Sequence, residues 1–223
     1  MNRNNGHAIS GCAQVGHDEY GFLKRGGLYN AGMRGGKAQP WQGGTCVPFF
    51  IRWPGVISQG RDDATLTSAM DLVPTLAEIA GVPCVDPGIQ GISLLPNILK
   101  KPTNVPDSRM LFSHKGRWHS SEFLEDYRYV YASVFTERYR LVWNKIQQME
   151  LFDYVNDPEE TNNIIHEHPE LVATLKTKYD AWWEDSKRYM VNDLRQIETG
   201  NFCVRLQDGT PAQWIEKARK GRK

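Results

Sequence analysis

In the second half of the chain, apolar residues cluster in short runs at 110–113, 129–135, 139–143 and 149–154, each ended by polar or turn-forming residues. Runs of this length, rich in Val, Tyr, Phe and Trp, predict strands, and their close spacing predicts an antiparallel meander. Asn156, Asp157 and Pro158 break the pattern. Beyond them Pro169 opens a longer helix on which Leu171, Leu175, Tyr179 and Trp182 form one stripe, predicted to face a core.

The first half reads differently. Asp71 is placed to cap a helix over 72–80, with Leu72, Leu76 and Ile79 on one face, Pro74 in its first turn and Gly81 at its C-terminal end. Upstream, the apolar and aromatic run 46–53 is closed by Pro54 and Gly55, which predicts a buried strand. Pro48 within it cannot donate to a ladder and predicts an edge or a bulge there. Residues 1–44 are dense in glycine and predict loop.

Composition adds limits. The chain has 223 residues, of which 40% are hydrophobic and 24% charged, and this excludes disorder as the overall state. A formal net charge of +1 gives no general attraction to nucleic acid or to an anionic membrane, so any anion site must be local. No run reaches the length of a membrane span, and residues 1–7 offer no apolar core of a signal peptide. The basic tail, Lys217, Arg219, Lys220, Arg222 and Lys223, reads as a solvated end. Cys12, Cys46, Cys84 and Cys203 form no close pair of the zinc-binding kind.

Four stretches, in order, carry a resemblance. They are Tyr29-Asn30-Ala31-Gly32-Met33-Arg34-Gly35-Gly36-Lys37; Gly43-Gly44-Thr45-Cys46-Val47-Pro48 with Arg52-Trp53-Pro54-Gly55; Asp71-Leu72-Val73-Pro74-Thr75-Leu76 with Ala80-Gly81-Val82; and Glu150-Leu151-Phe152-Asp153-Tyr154 with the following Asn156-to-Asn163 segment. Together they resemble the formylglycine-dependent sulfatases, with Cys46 standing where that family has Arg. Trp182-Trp183 after His168-Pro169-Glu170 is similar to the family's closing helix.

The resemblance implies an α/β fold of the alkaline-phosphatase-like sulfatase type, followed by a small α+β domain with an antiparallel sheet and a packed helix. Residues 1–106 would be the end of the catalytic domain and 107–223 the small domain. It also implies that Lys37 contacts the substrate sulfate and that His114 lies near the substrate mouth. Calcium would be held by an Asp-Asn-Gly turn, matched here by Asn4-Asn5-Gly6, with Asn5 as the amide ligand and Asn4 in place of the Asp. Losing that carboxylate weakens the site for a hard cation. Members of the family are commonly periplasmic, secreted or lysosomal.

The family's nucleophile is a formylglycine made from the first residue of Cys/Ser-x-Pro-x-Arg. Cys46-Val47-Pro48 begins like that motif but has Phe50 where Arg belongs. The adjacent aspartates that hold calcium also have no counterpart, because Asp62-Asp63 lies in a polar loop. The chain therefore reads as the C-terminal portion of a sulfatase, inactive alone, acting on a sulfate ester when joined to or docked on its N-terminal half. That reading predicts an exposed apolar surface. The alternatives are a non-catalytic module binding an anion or sulfated glycan through the Lys37 loop, and part of another alkaline-phosphatase-superfamily hydrolase.

Overall fold

The computed structural model describes residues 30–84, 86, 88–116 and 121–190. Asn4 and Asn5, the glycines before residue 30, Cys12, Cys203 and the basic tail lie outside them. Within the described residues the meander is present: β1 (Leu111–His114), β2 (Ala132–Phe135), β3 (Tyr139–Trp143) and β4 (Met149–Asp153) form a four-stranded sheet in sequence order. All three pairings are antiparallel, with Val134 opposite Leu141 and Leu141 opposite Leu151. The second strand is shorter than the 129–135 run, because Tyr131 takes a φ of 52° and turns the chain just before Ala132.

Side chains alternate across this sheet, as the two-residue period requires. On one face Ala132, Val134, Leu141, Trp143 and Leu151 meet the long helix, Pro169–Ser186. That helix buries Leu175, Tyr179 and Trp183 completely, while Leu171 and Trp182 pack at the margin. The predicted stripe is therefore right up to Tyr179 and rotated by one residue at its end. Tyr179 donates its hydroxyl hydrogen to the Arg128 carbonyl, so the buried ring leaves no polar atom unmet. On the other face Trp41, Tyr131, Val142 and Phe152 form a second, smaller core.

The first half departs from expectation in three places. Residues 46–53 form no regular element and pair with no strand among the described residues, and the run predicted to be buried is largely exposed, with Phe50 at 90%. A strand needs a neighbouring edge to satisfy its backbone, and the sheet described here lies elsewhere in the chain. The predicted helix is present as Leu72–Ile79, with Gly81 at φ 68° and a Val82 N–H to Ala77 carbonyl bond of 3.0 Å closing it. Its apolar stripe, however, faces out.

The inward position of that helix belongs instead to Thr75, whose hydroxyl donates to the Asp71 carbonyl at 2.6 Å and accepts the Leu94 N–H at 2.9 Å. Asp71 does not cap this helix with its side chain. It reaches back to accept the Ser68 N–H at 2.8 Å, takes the Ile92 N–H at 2.9 Å and pairs with Arg109 at 2.6 Å, all in a fully buried position. The short helix Leu95–Ile98 follows. One buried carboxylate thus ties the 68–98 segment to the base of β1.

Candidate functional site: the Lys37 turn

Lys37 lies at the tip of a tight turn over residues 36–39. The Gln39 N–H donates to the Gly36 carbonyl at 2.9 Å, and the Gly36 N–H donates back to the Gln39 side-chain oxygen at 3.0 Å. The tip is exposed, while Arg34, Gly35 and Gly36 before it are buried. The turn is therefore rigidly based and openly presented.

Glycine is required on the far side of the turn. In the short helix Gln42–Thr45, a Cβ on Gly43 would stand 2.3 Å from the Gly35 carbonyl oxygen, and one on Gly44 would stand 2.4 Å from that of Gly36. Both contacts are with backbone, which cannot yield as a flexible side chain would. The Gly43 N–H closes the base by donating to the Arg34 carbonyl at 2.7 Å. The Asn30 amide donates to the carbonyls of Met33 at 3.0 Å and Gly35 at 2.8 Å.

Beneath the turn is a buried charged layer on the second face of the sheet. The Arg34 guanidinium donates to both carboxylate oxygens of Glu150 on β4, at 3.0 and 3.1 Å, and to the Glu160 carbonyl at 3.1 Å. It also stacks on the rings of Trp41 and Phe152, 4.6 and 5.3 Å from their centres. Trp41 donates its indole N–H to Glu150 at 3.2 Å.

Glu160, fully buried, accepts the Gln42 N–H at 2.7 Å and lies 3.1 Å from Arg140 of β3, which also donates to the Gln42 side chain. Burial pushes the Glu160 carboxyl above its ordinary value, and the Arg140 charge opposes that push. Sequence reading quoted Arg34 and Glu150 only as parts of motifs and missed their pairing. The available signal was Arg140 and Glu150, polar residues in otherwise apolar strands, which demand partners if buried.

His114 occupies a different place. Its ring packs 5.0 Å from that of Trp183, on the sheet face covered by the long helix, whereas the Lys37 turn rests on the opposite face. The Gly116 N–H donates to Nδ1 at 2.9 Å, so Nδ1 is unprotonated and Nε2–H donates to the Tyr127 carbonyl at 2.8 Å. Desolvation by burial lowers its pKa from 6.5. Both nitrogens of this neutral ring are engaged in holding backbone, and the structure does not bring it to the Lys37 turn.

Residues 40–185 match the family model described as N-sulphoglucosamine sulphohydrolase, C-terminal. The chain belongs to this sulfatase family. A sulfatase from Formosa agariphila is 29% identical over 181 residues, covering 74% of this chain and 31% of the relative. Rat (Rattus norvegicus) steryl-sulfatase is 46% identical over 77 residues, covering 34% of this chain and 13% of the relative. A solved structure described under glycosaminoglycan metabolism in Bacteroides thetaiotaomicron superposes with a TM-score of 0.53 at 20% identity, covering 71% of this chain and 32% of that one.

The described residues share the fold of the matching part of that structure, and here that fold comprises a small antiparallel sheet packed by a long helix. The chain spans between 13% and 31% of the length of the curated relatives it matches. Among the described residues no three His, Cys, Asp or Glu side chains group as metal ligands. The calcium candidates Asn4 and Asn5 lie outside them. No described helix is long and apolar enough to cross a membrane.

Proposed function

We propose that this chain is the substrate-facing C-terminal portion of a sulfuric ester hydrolase, and that by itself it turns over no sulfate ester. In this reading Lys37 supplies fixed positive charge to the sulfuryl oxygens, where an open, rigidly based cation is worth most in the transition state. The aldehyde nucleophile and the paired carboxylates for calcium belong to the polypeptide that supplies the rest of the domain. Asn4 and Asn5 would add two amide oxygens to that calcium, a weak contribution for want of charge. Residues 1–106 would close the catalytic domain and 107–223 form the small one.

The supporting observation is the exposed apolar face. Val47, Phe49, Phe50 and Ile51, with the outward stripe of the Leu72–Ile79 helix, are what a larger domain would cover. Each is an apolar run left in water, and exposed apolar surface of this kind marks where a partner docks. A second reading, a non-catalytic module for a sulfated glycan, is favoured by the intact Lys37 turn alone.

Two measurements on the chain separate these readings. An assay with an aryl sulfate, with and without calcium, is expected to give no turnover, and catalysed hydrolysis would contradict the proposal. Titration with inorganic sulfate is expected to show weak binding that Lys37→Ala abolishes while the fold is kept. Unaltered affinity in that variant would remove Lys37 from the site.

A further inference from the structure

Lys37 is flanked by two buried supports. Three residues before it, Arg34 is locked to Glu150. Five residues after it, the Gln42 N–H is locked to Glu160. The two carboxylates belong to β4 and to the segment just after it, more than a hundred residues away in sequence, and Arg140 of β3 stands beside the second. Between the supports the backbone has little freedom, because Gly43 and Gly44 lie directly on the Gly35 and Gly36 carbonyls.

We infer that Glu150 and Glu160, through Arg34 and Gln42, are positioning residues that set where the Lys37 ammonium meets the sulfate, so that the small sheet acts as a gauge for the anion site. The inference rests on the Lys37 reading above. Its chemistry is that of a two-point clamp. One guanidinium nitrogen of Arg34, Nη2, reaches both Glu150 oxygens while the other, Nη1, holds the Glu160 carbonyl, a span between two supports that the single nitrogen of a lysine cannot reproduce. Displacement of a charged group by about 1 Å can cost up to about a hundredfold in function, so a slack clamp should weaken anion binding even where the fold survives.

The test is a sulfate titration, followed by amide chemical shifts, of the parent chain and four variants well below their melting temperatures. Glu150→Gln turns an amide N–H₂ toward the Arg34 donor, and Arg34→Lys keeps the charge but loses the second nitrogen that holds the Glu160 carbonyl. Each is expected to weaken sulfate binding by about tenfold. Leu175→Ala, cut into the opposite core, is expected to lower the melting temperature at least as much and leave sulfate affinity unchanged. Lys37→Ala separates the two levels of the argument.

If Lys37→Ala binds sulfate like the parent, the anion-site reading fails. If Lys37→Ala loses binding while Glu150→Gln and Arg34→Lys retain it, the clamp fails and the anion site stands. Equal weakening by Leu175→Ala, or failure of both clamp variants to fold where Leu175→Ala folds, would make the clamp a folding contact and overturn the positioning role.

Discussion

The two halves of the described chain use similar apolar residues to opposite ends. In the sheet and its long helix, Leu141, Leu151, Leu175 and Trp183 are closed off from water, whereas in the 46–82 segment Phe50, Val73 and Leu76 are more than half exposed. The inner contacts of that segment are polar: Asp71 with Arg109, and Thr75 with the Leu94 backbone. A segment fastened by polar contacts on one side and showing apolar residues on the other is what the proposed docking on the rest of a larger domain requires. The sheet and helix form a complete core, and stability should be distributed accordingly.

The largest effect should follow from cutting the complete core. Trp183→Ala removes a fully buried ring that packs against Tyr179 and His114. The expected cost is about 3–5 kcal/mol, read as a lower midpoint in denaturant unfolding followed by the far-ultraviolet signal of the long helix. A cost under about 0.5 kcal/mol, the range of ordinary surface changes, would mean that the sheet and helix are not the stable unit.

A smaller effect, set by pH, should come from His114 at the edge of that core. Its folded pKa is depressed, so the unfolded chain binds the proton more readily, and stability rises with pH between the folded value and the ordinary 6.5. The contribution is fully present above 6.5 and is lost as the solution is acidified through and below it. Charging the ring would also break the Gly116 bond to Nδ1. Melting temperatures measured across this window should fall toward acid in the parent and fall less in His114→Gln. Parallel slopes would remove His114 from the balance.

Much of the fold was legible because its signals are local. The strand runs, Pro169 at the head of the long helix and Gly81 at the end of the shorter one each follow from a period or a backbone requirement that neighbouring residues satisfy. The 46–53 run and the Leu72, Leu76, Ile79 stripe were recognised as faces that want burial, but periodicity says only that a face is apolar. What covers it is a separate question, and in the described residues nothing does. The Lys37 turn was found through its motif, while the Arg34–Glu150 and Arg140–Glu160 pairs span 116 and 20 positions and leave no periodic trace. Buried charge pairing is a tertiary fact.

The smallest effect should come from the open face and gives the contrast its sharpest edge. Leu76 is 61% exposed on the outward stripe of its helix. Leu76→Ser should change the stability of this chain by no more than about 0.5 kcal/mol, since little apolar area leaves a dry environment. The same change should lower the fluorescence of a dye that binds exposed apolar surface, because the stripe loses its most prominent side chain. Thr75, one position earlier, supplies the control: Thr75→Val keeps the shape but leaves the Leu94 N–H without its acceptor in a buried place. That change should cost about 1–3 kcal/mol. If Leu76→Ser proved the costlier of the two, the helix would be packed by its apolar stripe in solution, and the outward face would not be open.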